Sequence, residues 1–501
     1  MKNLNKVIMV CSLAGLISIG GCSKLDINID PNKPLLEKAN PESLIPSGVI
    51  STAGRVGGDL AIVGGIWAQH WTQNNSSSQY ISLDTYDVPN SSSFINSPYQ
   101  ELYSGALADY QLAIEKAVAA KDWRYNLMAT VMRAYTYQVL VDLFDKVPYT
   151  EALKVGTFLQ PKFDDGYTIY KSLIEGIDAA LAKDFHNTPH LDTDSRIDLV
   201  FGDNGNASFE DQMENWERFA NTLKLKMYLR MAYVKPTEAE AGIKAMYDGD
   251  AKFLTTNAGV AGYENVPNKS NPLFEYNFRR LNTTDNLKAS ATLVSWLEQN
   301  ADPRAQVYFG VESPVPTINQ GDFWNQSSHP EYFDAVVPVI APTAPVWFIT
   351  KAESCFMQAE FLERYYGGSG AELKYNEGVT AAFTNLGLPD PTTLLAGPYK
   401  YPATANLETK IEKIIVQKWA SLFGSHALEA FFEQNRTGYP RISPVYSTEP
   451  GYQPGTLVYA SRGVTGAGNF PRRLVFPDYE KSRNTNTPDE VPIYTKVWWG
   501  K

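Results

Sequence analysis

Cysteine is scarce in this chain of 501 residues, which contains only Cys11, Cys22 and Cys355. The first two lie in an N-terminal segment that we expect to be processed, so Cys355 has no partner for an intrachain disulfide. Stability must therefore come from packing. Cys355 lies at helical spacing from Ala359 and Leu362, which predicts a buried structural thiol and not a nucleophile.

Several chemical signatures are also missing. Lysine and arginine (44) are outnumbered by aspartate and glutamate (55), and no basic stripe is present, which excludes direct binding of nucleic acid. The chain has no Gly-x-Ser-x-Gly nucleophile elbow and no glycine loop that would cradle a phosphate. Its five histidines are scattered, and no zinc motif exists. These absences disfavour most familiar enzyme classes.

No cofactor is expected, although one weak metal signal remains. Asp192 and Asp194 begin like a calcium loop, but Arg196 stands where a third oxygen ligand belongs, and the expected glycine is missing. The segment 203–206 is short and lacks a distal glutamate. Solvated loop acids explain both segments, and calcium is left as an open alternative.

Long apolar runs are absent after residue 22, which predicts a soluble body. The one such run, Val7–Ile19, follows two lysines and precedes Gly20-Gly21-Cys22. Because it is shorter than the roughly 20 residues that a membrane-spanning helix needs, it predicts a signal peptide over 1–21. The small residues before Cys22 resemble a bacterial lipobox, so we expect Cys22 to be lipidated and to provide the only membrane attachment. The alternative is an ordinary secretory signal with a chance cysteine.

Residues 22–50 are predicted to form a tether between the lipid and the body. Four prolines, at positions 31, 34, 41 and 46, each remove a backbone donor, which disfavours a regular helix or a central strand there. The body is then expected to occupy 51–501.

Apolar residues recur at helical spacing along much of the body. The pattern predicts helices over 99–114, 127–144, 170–181, 216–227, 286–299, 350–366, 371–386, 408–423 and 426–434. Their order suggests helical hairpins in series. The predicted fold class is mainly α, with a tetratricopeptide-like helical-hairpin scaffold over about 98–250 and 350–435.

Irregular stretches rich in Asn, Ser, Thr, Gly, Pro and aromatic residues separate the helices. We predict loop-rich, ligand-side insertions over 51–97, 252–349 and 436–501. Such lengths are unusual for simple connectors, and binding residues are often carried by loops on a rigid scaffold. A second, irregular lobe with few short strands is therefore expected.

An ordered set of segments resembles the SusD/RagB family of outer-membrane lipoproteins from Bacteroidetes, and more narrowly its SusD-like branch. Besides Cys22, the resemblance is carried by Arg133–Tyr137, Leu143–Tyr149, Asp165–Tyr170, Trp216–Asn221, Leu223–Leu225, Glu353–Glu360, Gln417–Gly424, Arg436–Pro440 and Pro471–Arg473. Together they cover nearly the whole chain in order. One departure is Asp145-Lys146, where the family commonly has Gly-Asp.

The resemblance implies four tetratricopeptide-like units that support an irregular ligand-facing lobe, and it implies no catalysis. It implies a nutrient-binding lipoprotein, held at the cell outer membrane by its lipid and facing the exterior. Such proteins cover a TonB-dependent SusC-like barrel and deliver a nutrient to it, mostly an oligosaccharide and sometimes a peptide. The family has no single binding motif, so no site residue is carried over.

Candidate ligand-binding residues come from the aromatic and amide residues of the irregular stretches. A sugar or peptide binder needs flat apolar faces with polar groups around them. The first candidate set is Trp67, Trp71, Asn74, Tyr80 and Tyr86, in which the two tryptophans would share one side of a helical turn. The alternative is that these tryptophans belong to the core.

A second candidate set, Phe323, Trp324 and Asn325, lies in a Gly/Asn/Ser-rich stretch without apolar periodicity, which favours exposure. Asn282, next to an aromatic and arginine-rich segment, is a weaker candidate.

Two other function classes remain open. A lipid-anchored glycoside hydrolase with a helical fold would need two carboxylates across the scissile bond. The pairs Glu353/Glu360 and Glu429/Glu433 are candidates, although helix caps and solvated helix faces explain them equally well. A purely structural surface protein would not need the tryptophan-rich loops.

Overall fold

Helices account for most of the regular structure. The computed structural model describes residues 39–74, 76–154, 156–187, 197–202, 205–325 and 327–501. The helices are α1 Pro41–Val56, α2 Asp59–Trp67, α3 Ile81–Asp84, α4 Ser93–Glu101, α5 Ala108–Ala120, α6 Trp123–Phe144, α7 Gly166–Leu181, α8 Phe209–Met231, α9 Pro236–Asp248, α10 Pro272–Phe274, α11 Ala291–Gln299, α12 Arg304–Phe309, α13 Lys351–Tyr365, α14 Ala371–Asn385, α15 Thr392–Ala396, α16 Leu407–Ser421, α17 Ala427–Thr437 and α18 Asp478–Arg483. A π-helical turn, Leu102–Leu107, joins α4 to α5.

The strands are short and form two-stranded antiparallel pairs. They are β1 Trp71–Gln73, β2 Lys146–Pro148, β3 Phe163–Asp165, β4 Ala258–Val260, β5 Leu287–Ala289 and β6 Val346–Ile349. In the described residues β1 pairs with β5, β2 with β3 and β4 with β6. The strands therefore fasten loops together and do not build a layer of their own.

The predicted fold class is confirmed. The helices expected from apolar periodicity are present, except that the one predicted over 286–299 begins only at Ala291, because residues 287–289 form β5. Successive helices pack as hairpins, for example α5 with α6, α7 with α8, and α13 with α14. Asp165 caps α7 by accepting a hydrogen bond from the backbone N–H of Thr168. Cys355 is buried on α13, and burial raises the pKa of its thiol to about 11. A thiol in that state is unreactive at neutral pH.

The N-terminal part of the body differs from the prediction. Residues Pro41–Lys501 form one compact unit, which begins inside the expected tether, because α1 starts at Pro41 and contains Pro46. The segment 51–97 is likewise not a loop insertion, since α2 is a core helix with every residue buried. An all-apolar helix shows no periodicity, and Pro41 suits a first helical turn. Residues 1–21, Cys22 and the rest of the tether up to residue 38 lie outside the described residues.

Close packing explains why α2 contains paired glycines. A Cβ atom on Gly64 would lie 2.3 Å from the Cα atom of Leu428, and one on Gly65 would lie 2.1 Å from the ring of Trp71. Neither neighbour is a flexible side-chain tip. The glycines therefore allow α2 to lie directly against α17 and the aromatic core.

One helical stretch of the described residues, Pro41–Trp67, has the length and hydropathy of a membrane span. No apolar stretch of this length was predicted after residue 22. However, 78% of the apolar window is buried inside the protein, against the other helices. This burial identifies α1 and α2 as core helices.

A buried cluster of charged side chains joins helices from distant parts of the chain. On α8, Arg230 donates from Nε to Asp142 on α6 at 3.1 Å and from Nη2 to both carboxylate oxygens of Glu429 on α17 at 2.8 Å. It also pairs with Glu433. All these side chains are nearly inaccessible to solvent. We call the group below the charge cluster.

The charge cluster continues from α17 to α13. Arg436 donates to both oxygens of Glu360, at 2.7 and 2.6 Å, and to Glu433. Lys226 and Lys418 reach Glu353 at 2.8 and 3.4 Å. The members are Asp142, Lys226, Arg230, Glu353, Glu360, Arg364, Lys418, Glu429, Glu433 and Arg436. Cations and carboxylates are equal in number, so the cluster is neutral, as burial requires.

The cations of the cluster lower the pKa of Glu360, Glu429 and Glu433, whereas burial raises the pKa of Asp142. Burial alone raises the pKa of Glu429, but Arg230, Lys226 and Lys418 more than offset this and bring it from 4.5 to about 2. The pKa of Glu433 is lowered in the same way, despite its burial, by Arg436 and Lys418. Burial lowers the pKa of the adjacent His426 although Glu353 is nearby, so this imidazole is neutral at pH 7.

Replacing Arg230 by alanine tests the cluster. Because the substitution leaves Asp142 and Glu429 buried with less compensation, we expect the free energy of unfolding to fall by about 3 to 5 kcal/mol. The matched control is Arg441→Ala, which breaks an ion pair to Glu412 in which the arginine side chain is 62% exposed. That loss is expected to be below about 1 kcal/mol in chemical denaturation. Equal losses for the two variants would contradict a dominant role for the buried charges.

The pH dependence of unfolding gives a second test. Since the pKa of Glu429 is lower in the folded than in the unfolded protein, its stabilising contribution is complete above pH 4.5 and disappears as the pH falls through about 2. We expect Glu429→Gln to lower stability by about 3 kcal/mol at pH 7, at 1.36 kcal/mol per pKa unit. The difference from the parent protein should shrink steadily below pH 4.5. A difference independent of pH would show that Glu429 acts by packing alone.

Candidate ligand-binding site

Loops from four regions of the sequence meet around the β1–β5 pair. After β1, the backbone N–H of Asn74 donates to Asn286 at 2.9 Å, and Ser76 donates to Asp285 at 3.3 Å. On the other side of β5, the N–H of Ala289 donates to Val336 at 2.9 Å. Residues 71–74, 76, 282–289, 316–325 and 327–336 thus form one lobe, as predicted for the irregular stretches.

Gln69 ties this lobe to the C-terminal loop. Its amide nitrogen donates to the carbonyl of Val458 at 2.5 Å, and its oxygen accepts from the N–H of the same residue at 3.0 Å. Thr292 donates to that oxygen at 2.7 Å. A fully buried side chain therefore holds segment 458–462 against the lobe.

An exposed aromatic patch lies on the loops fastened in this way. Trp324 is 47% exposed, the guanidinium carbon of Arg462 lies 4.8 Å from its ring centroid, and the buried Phe323 ring packs 5.0 Å from it. Asn325 follows and is half-buried. We call Trp324, Asn325 and Arg462 the Trp324 patch. It presents an aromatic surface, an amide and a cation to solvent.

The loop beneath the Trp324 patch is firmly held. Asp322 accepts hydrogen bonds from the hydroxyl of Tyr332 at 2.7 Å and from Ser461 at 3.2 Å. Ser461 also donates to the carbonyl of Gly321 at 2.6 Å. Gly321 has φ +71°, and a Cβ there would lie 2.6 Å from that of Ala460. This close approach requires glycine and fixes the two loops against each other, so the patch is pre-formed.

The expectation of an exposed face at Trp67 and Trp71 is wrong. Trp67 ends α2, donates from its indole N–H to Leu83 at 3.0 Å and packs 5.0 Å from Phe431. Trp71 begins β1, is fully buried and contacts Phe423. They do not share a helical turn, because the chain leaves the helix between them. Both rings belong to the core.

Four further candidates support the lobe from inside. Asn74 donates to Ser76 at 2.8 Å, and the hydroxyl of Tyr80 donates to Asn277 at 2.8 Å. Tyr86 accepts from the backbone N–H of Ala460 at 3.3 Å. All three, like Phe323, are buried, which corrects their assignment as ligand-facing residues. Their polar atoms fix the loops and are not available to a ligand.

Asn282 is exposed and lies on the loop before β5, with φ +48°. Of the candidates from the sequence, Asn282, Trp324 and Asn325 are therefore accessible. Arg462 was missed because no periodicity or motif marks a single arginine in a glycine-rich loop. Two exposed apolar side chains of the same loop regions, Phe333 and Val464, both 62% exposed, were missed for the same reason.

The carboxylates considered for hydrolysis are neither caps nor solvated groups. Glu353, Glu360, Glu429 and Glu433 are members of the buried charge cluster, each within ion-pair distance of a lysine or arginine. A carboxylate with these partners cannot reach a glycosidic bond. The interpretation as helix caps or exposed faces was thus wrong, and so is their assignment as a catalytic pair.

In the described part of the chain, no group of three or more His, Cys, Asp or Glu side chains is placed so that it could hold a metal ion. The calcium alternative concerned Asp192, Asp194 and the segment 203–206. Residues 192–196, 203 and 204 lie outside the described residues.

A cleft of about 1130 Å³ lies on the helical scaffold, lined by α8, the segment 250–257, α13 and α14. The patch itself is an open surface.

Paired tryptophan substitutions distinguish surface from core. We expect Trp324→Ala to change the free energy of unfolding by less than about 1 kcal/mol, because the ring is half exposed. Trp71→Ala should lower it by about 3 to 5 kcal/mol, since it opens a cavity in packed surroundings. Denaturant unfolding of the two variants provides the measurement. A large loss for Trp324→Ala would place that ring in the core.

Comparison with known proteins agrees with this architecture. Residues 33–458 match the model of the SusD-like family described as starch-binding and associating with the outer membrane. A SusD homologue from Bacteroides uniformis superposes with a TM-score of 0.73 at 22% identity, over 92% of this chain and 98% of that one. A chitin-binding SusD homologue from Flavobacterium johnsoniae gives 0.70 at 19% identity, over 91% and 98%.

A SusD homologue from Bacteroides thetaiotaomicron also gives a TM-score of 0.70 at 19% identity, over 92% of this chain and 99% of that one. No curated protein matches the chain significantly. At these identities the solved structures show a shared fold, and the family model covers most of the sequence. The chain belongs to the SusD-like family.

Proposed function

We propose that this protein captures an oligosaccharide at the outer-membrane surface and delivers it to a TonB-dependent SusC-like transporter. The observation that carries the proposal is the pre-formed Trp324 patch on a scaffold of the SusD-like family. A captured nutrient needs only to be held and released, and a rigid aromatic surface with polar neighbours suits that task.

The chemistry of the patch suits a sugar. The C–H faces of a pyranose ring stack on an indole, while the planar side chains of Asn325 and Arg462 can hydrogen-bond to hydroxyl groups. The cation over the indole also keeps the ring oriented. The family description names starch, and a structural relative binds chitin, which supports a glucan or an amino-sugar polymer over a peptide.

Anchoring by a lipid on Cys22 is consistent with the length of chain between Cys22 and the first helix. Residues 23–40 separate Cys22 from α1, and 18 residues span at most about 60 Å when fully extended. That length allows the body to cover a barrel and still move away from it. Two or more acyl chains would hold the protein firmly at the membrane.

The pairing of the carboxylates favours a function in binding and not in catalysis. The four glutamates considered for a glycoside hydrolase are buried and paired with cations in the charge cluster. Around the patch, Asp322 is occupied by Tyr332 and Ser461. We therefore propose a binding protein that leaves its ligand unchanged.

The patch is tested by measuring oligosaccharide affinity. We expect Trp324→Ala to weaken binding of maltoheptaose or chitohexaose, whichever the parent protein binds, about ten-fold, which corresponds to about 1.4 kcal/mol. The matched control is Tyr494→Ala, which removes another aromatic ring of similar exposure, 40%. Isothermal titration calorimetry compares the variants. Unchanged affinity in Trp324→Ala would reject the patch as the site, and product release from either glycan would reject the proposal of a non-enzyme.

The anchor is tested by Cys22→Ala in cells. We expect the variant to leave the outer-membrane fraction and to be recovered as soluble protein, because no acyl chain can be attached. Fractionation followed by immunoblotting measures the distribution. Retention of the variant in the outer membrane would contradict lipid anchoring.

A further inference from the structure

The scaffold cleft shares no lining residue with the Trp324 patch. Arg218 lines it from α8, Lys351 and Gln358 from α13, and Thr384 from the end of α14, while the segment 250–257 closes it on one side. Its volume, about 1130 Å³, is enough for several sugar rings. Nothing in the proposed capture at the patch uses this cleft.

The polar side chains of the cleft are held in fixed positions. Asn257 donates to the side-chain oxygen of Asn385 at 2.8 Å and accepts from the backbone N–H of Lys351 at 2.9 Å. Gln358 donates to the hydroxyl of Ser354 at 3.1 Å, which leaves its own side-chain oxygen as an acceptor. Planar amides locked in this way match the paired hydroxyl groups of a sugar, and they lose little entropy on binding.

Charge distinguishes the cleft from the rest of the surface. The whole chain carries a net charge of −11, yet the cleft is lined by more cations than carboxylates. Lys252 pairs with Asp250 at 2.5 Å and Lys374 with Glu377 at 2.7 Å.

Two cations of the cleft are not paired with a carboxylate that lines it. Arg218 contacts Thr255 at 3.0 Å and pairs with Glu214, which lies outside the lining. Lys351 is exposed, and no described carboxylate lies within ion-pair distance of its ammonium group. Of the four cations in the lining, Lys351 is thus the one without an ion-pair partner among the described residues, and its charge attracts anions.

Apolar side chains complete the cleft. Leu373 is 61% exposed, and Tyr247 is 42% exposed while its ring is fixed by Phe361 at 5.0 Å and Tyr366 at 4.9 Å. An exposed aromatic ring beside fixed amides supplies a stacking surface. A lone inorganic anion would use neither the ring nor the volume.

We propose that this cleft is a second saccharide site, which takes an oligosaccharide bearing a carboxylate, such as a uronic acid. The inference rests on the proposed function, because it assumes a glycan ligand, but it concerns a different surface. Lys351 and Arg218 bind the carboxylate of the ligand. The side-chain amides of Asn257 and Gln358 form hydrogen bonds with its hydroxyl groups, and Tyr247 packs against a face of a sugar ring.

The test is calorimetric titration of the full chain with trigalacturonate and a hyaluronan tetrasaccharide, with maltotriose as the neutral probe. We expect at least one acidic probe to bind, and Lys351→Gln to weaken it at least five-fold. Lys400→Gln, at another exposed lysine outside the cleft, should leave affinity unchanged. Raising the salt from 50 to 300 mM should weaken binding of the acidic probe, since exposed charges are then screened.

A second variant does not depend on charge. Thr384→Trp fills the cleft from an exposed helical position and should abolish binding of the acidic probe, with thermal melting used to confirm that the variant folds. Failure of both acidic probes to bind, equal effects of Lys351→Gln and Lys400→Gln, or a preference for maltotriose in the cleft would each overturn the inference. Trp324→Ala separates the two proposals, because it should weaken neutral ligands at the patch and leave the acidic probe bound in the cleft.

Discussion

The neutral cluster of buried charges is the constraint on which the scaffold depends. Moving an ion out of water costs several kcal/mol, so every carboxylate in the cluster needs a nearby cation, and every cation needs a carboxylate. These partners are supplied by α6, α8, α13, α16 and α17, which are far apart in sequence. A helix that slid by one turn would leave several charges unpaired. The cluster therefore favours one arrangement of the hairpins over its close competitors.

Direct contacts connect this rigid scaffold to the loops that carry the Trp324 patch. On α16, which contributes Lys418 to the cluster, Trp419 donates from its indole N–H to the carbonyl of Ala68 at 2.8 Å. The next residue, Gln69, holds segment 458 and α11. The loops of the Trp324 patch are therefore connected to the scaffold through the hydrogen bonds of Trp419 and Gln69. These contacts restrict the movement of the loops. A surface of this kind binds by pre-organisation, with affinity set by stacking and a few polar contacts.

The sequence predicted the scaffold better than the site. Helices with an apolar stripe, such as α7 and α16, are indicated by periodicity, whereas α2 is not, because a helix in which every residue is buried shows no polar face. α1 does carry a buried stripe from Leu44 to Val56, but its prolines led to the prediction of a tether. The segments that carried the family resemblance include Glu353, Glu360, Lys418 and Arg436, which are members of the charge cluster, so the resemblance reports the scaffold and not the ligand. Pairing between these residues was invisible in the sequence because it is set by tertiary contacts. Tryptophans followed by amides look alike in sequence whether they are buried or exposed, which is why the exposure expected of Trp71 was wrong while that expected of Trp324 is confirmed.

A crystal structure of the protein with a neutral oligosaccharide that it binds tests the central claim most directly. The account predicts a sugar ring stacked on the indole of Trp324, within hydrogen-bonding reach of Asn325 or Arg462, with the scaffold helices and the charge cluster unmoved. A ligand bound elsewhere while the Trp324 ring stays exposed to solvent, or a ligand that reaches its site only after the cluster has rearranged, would contradict it.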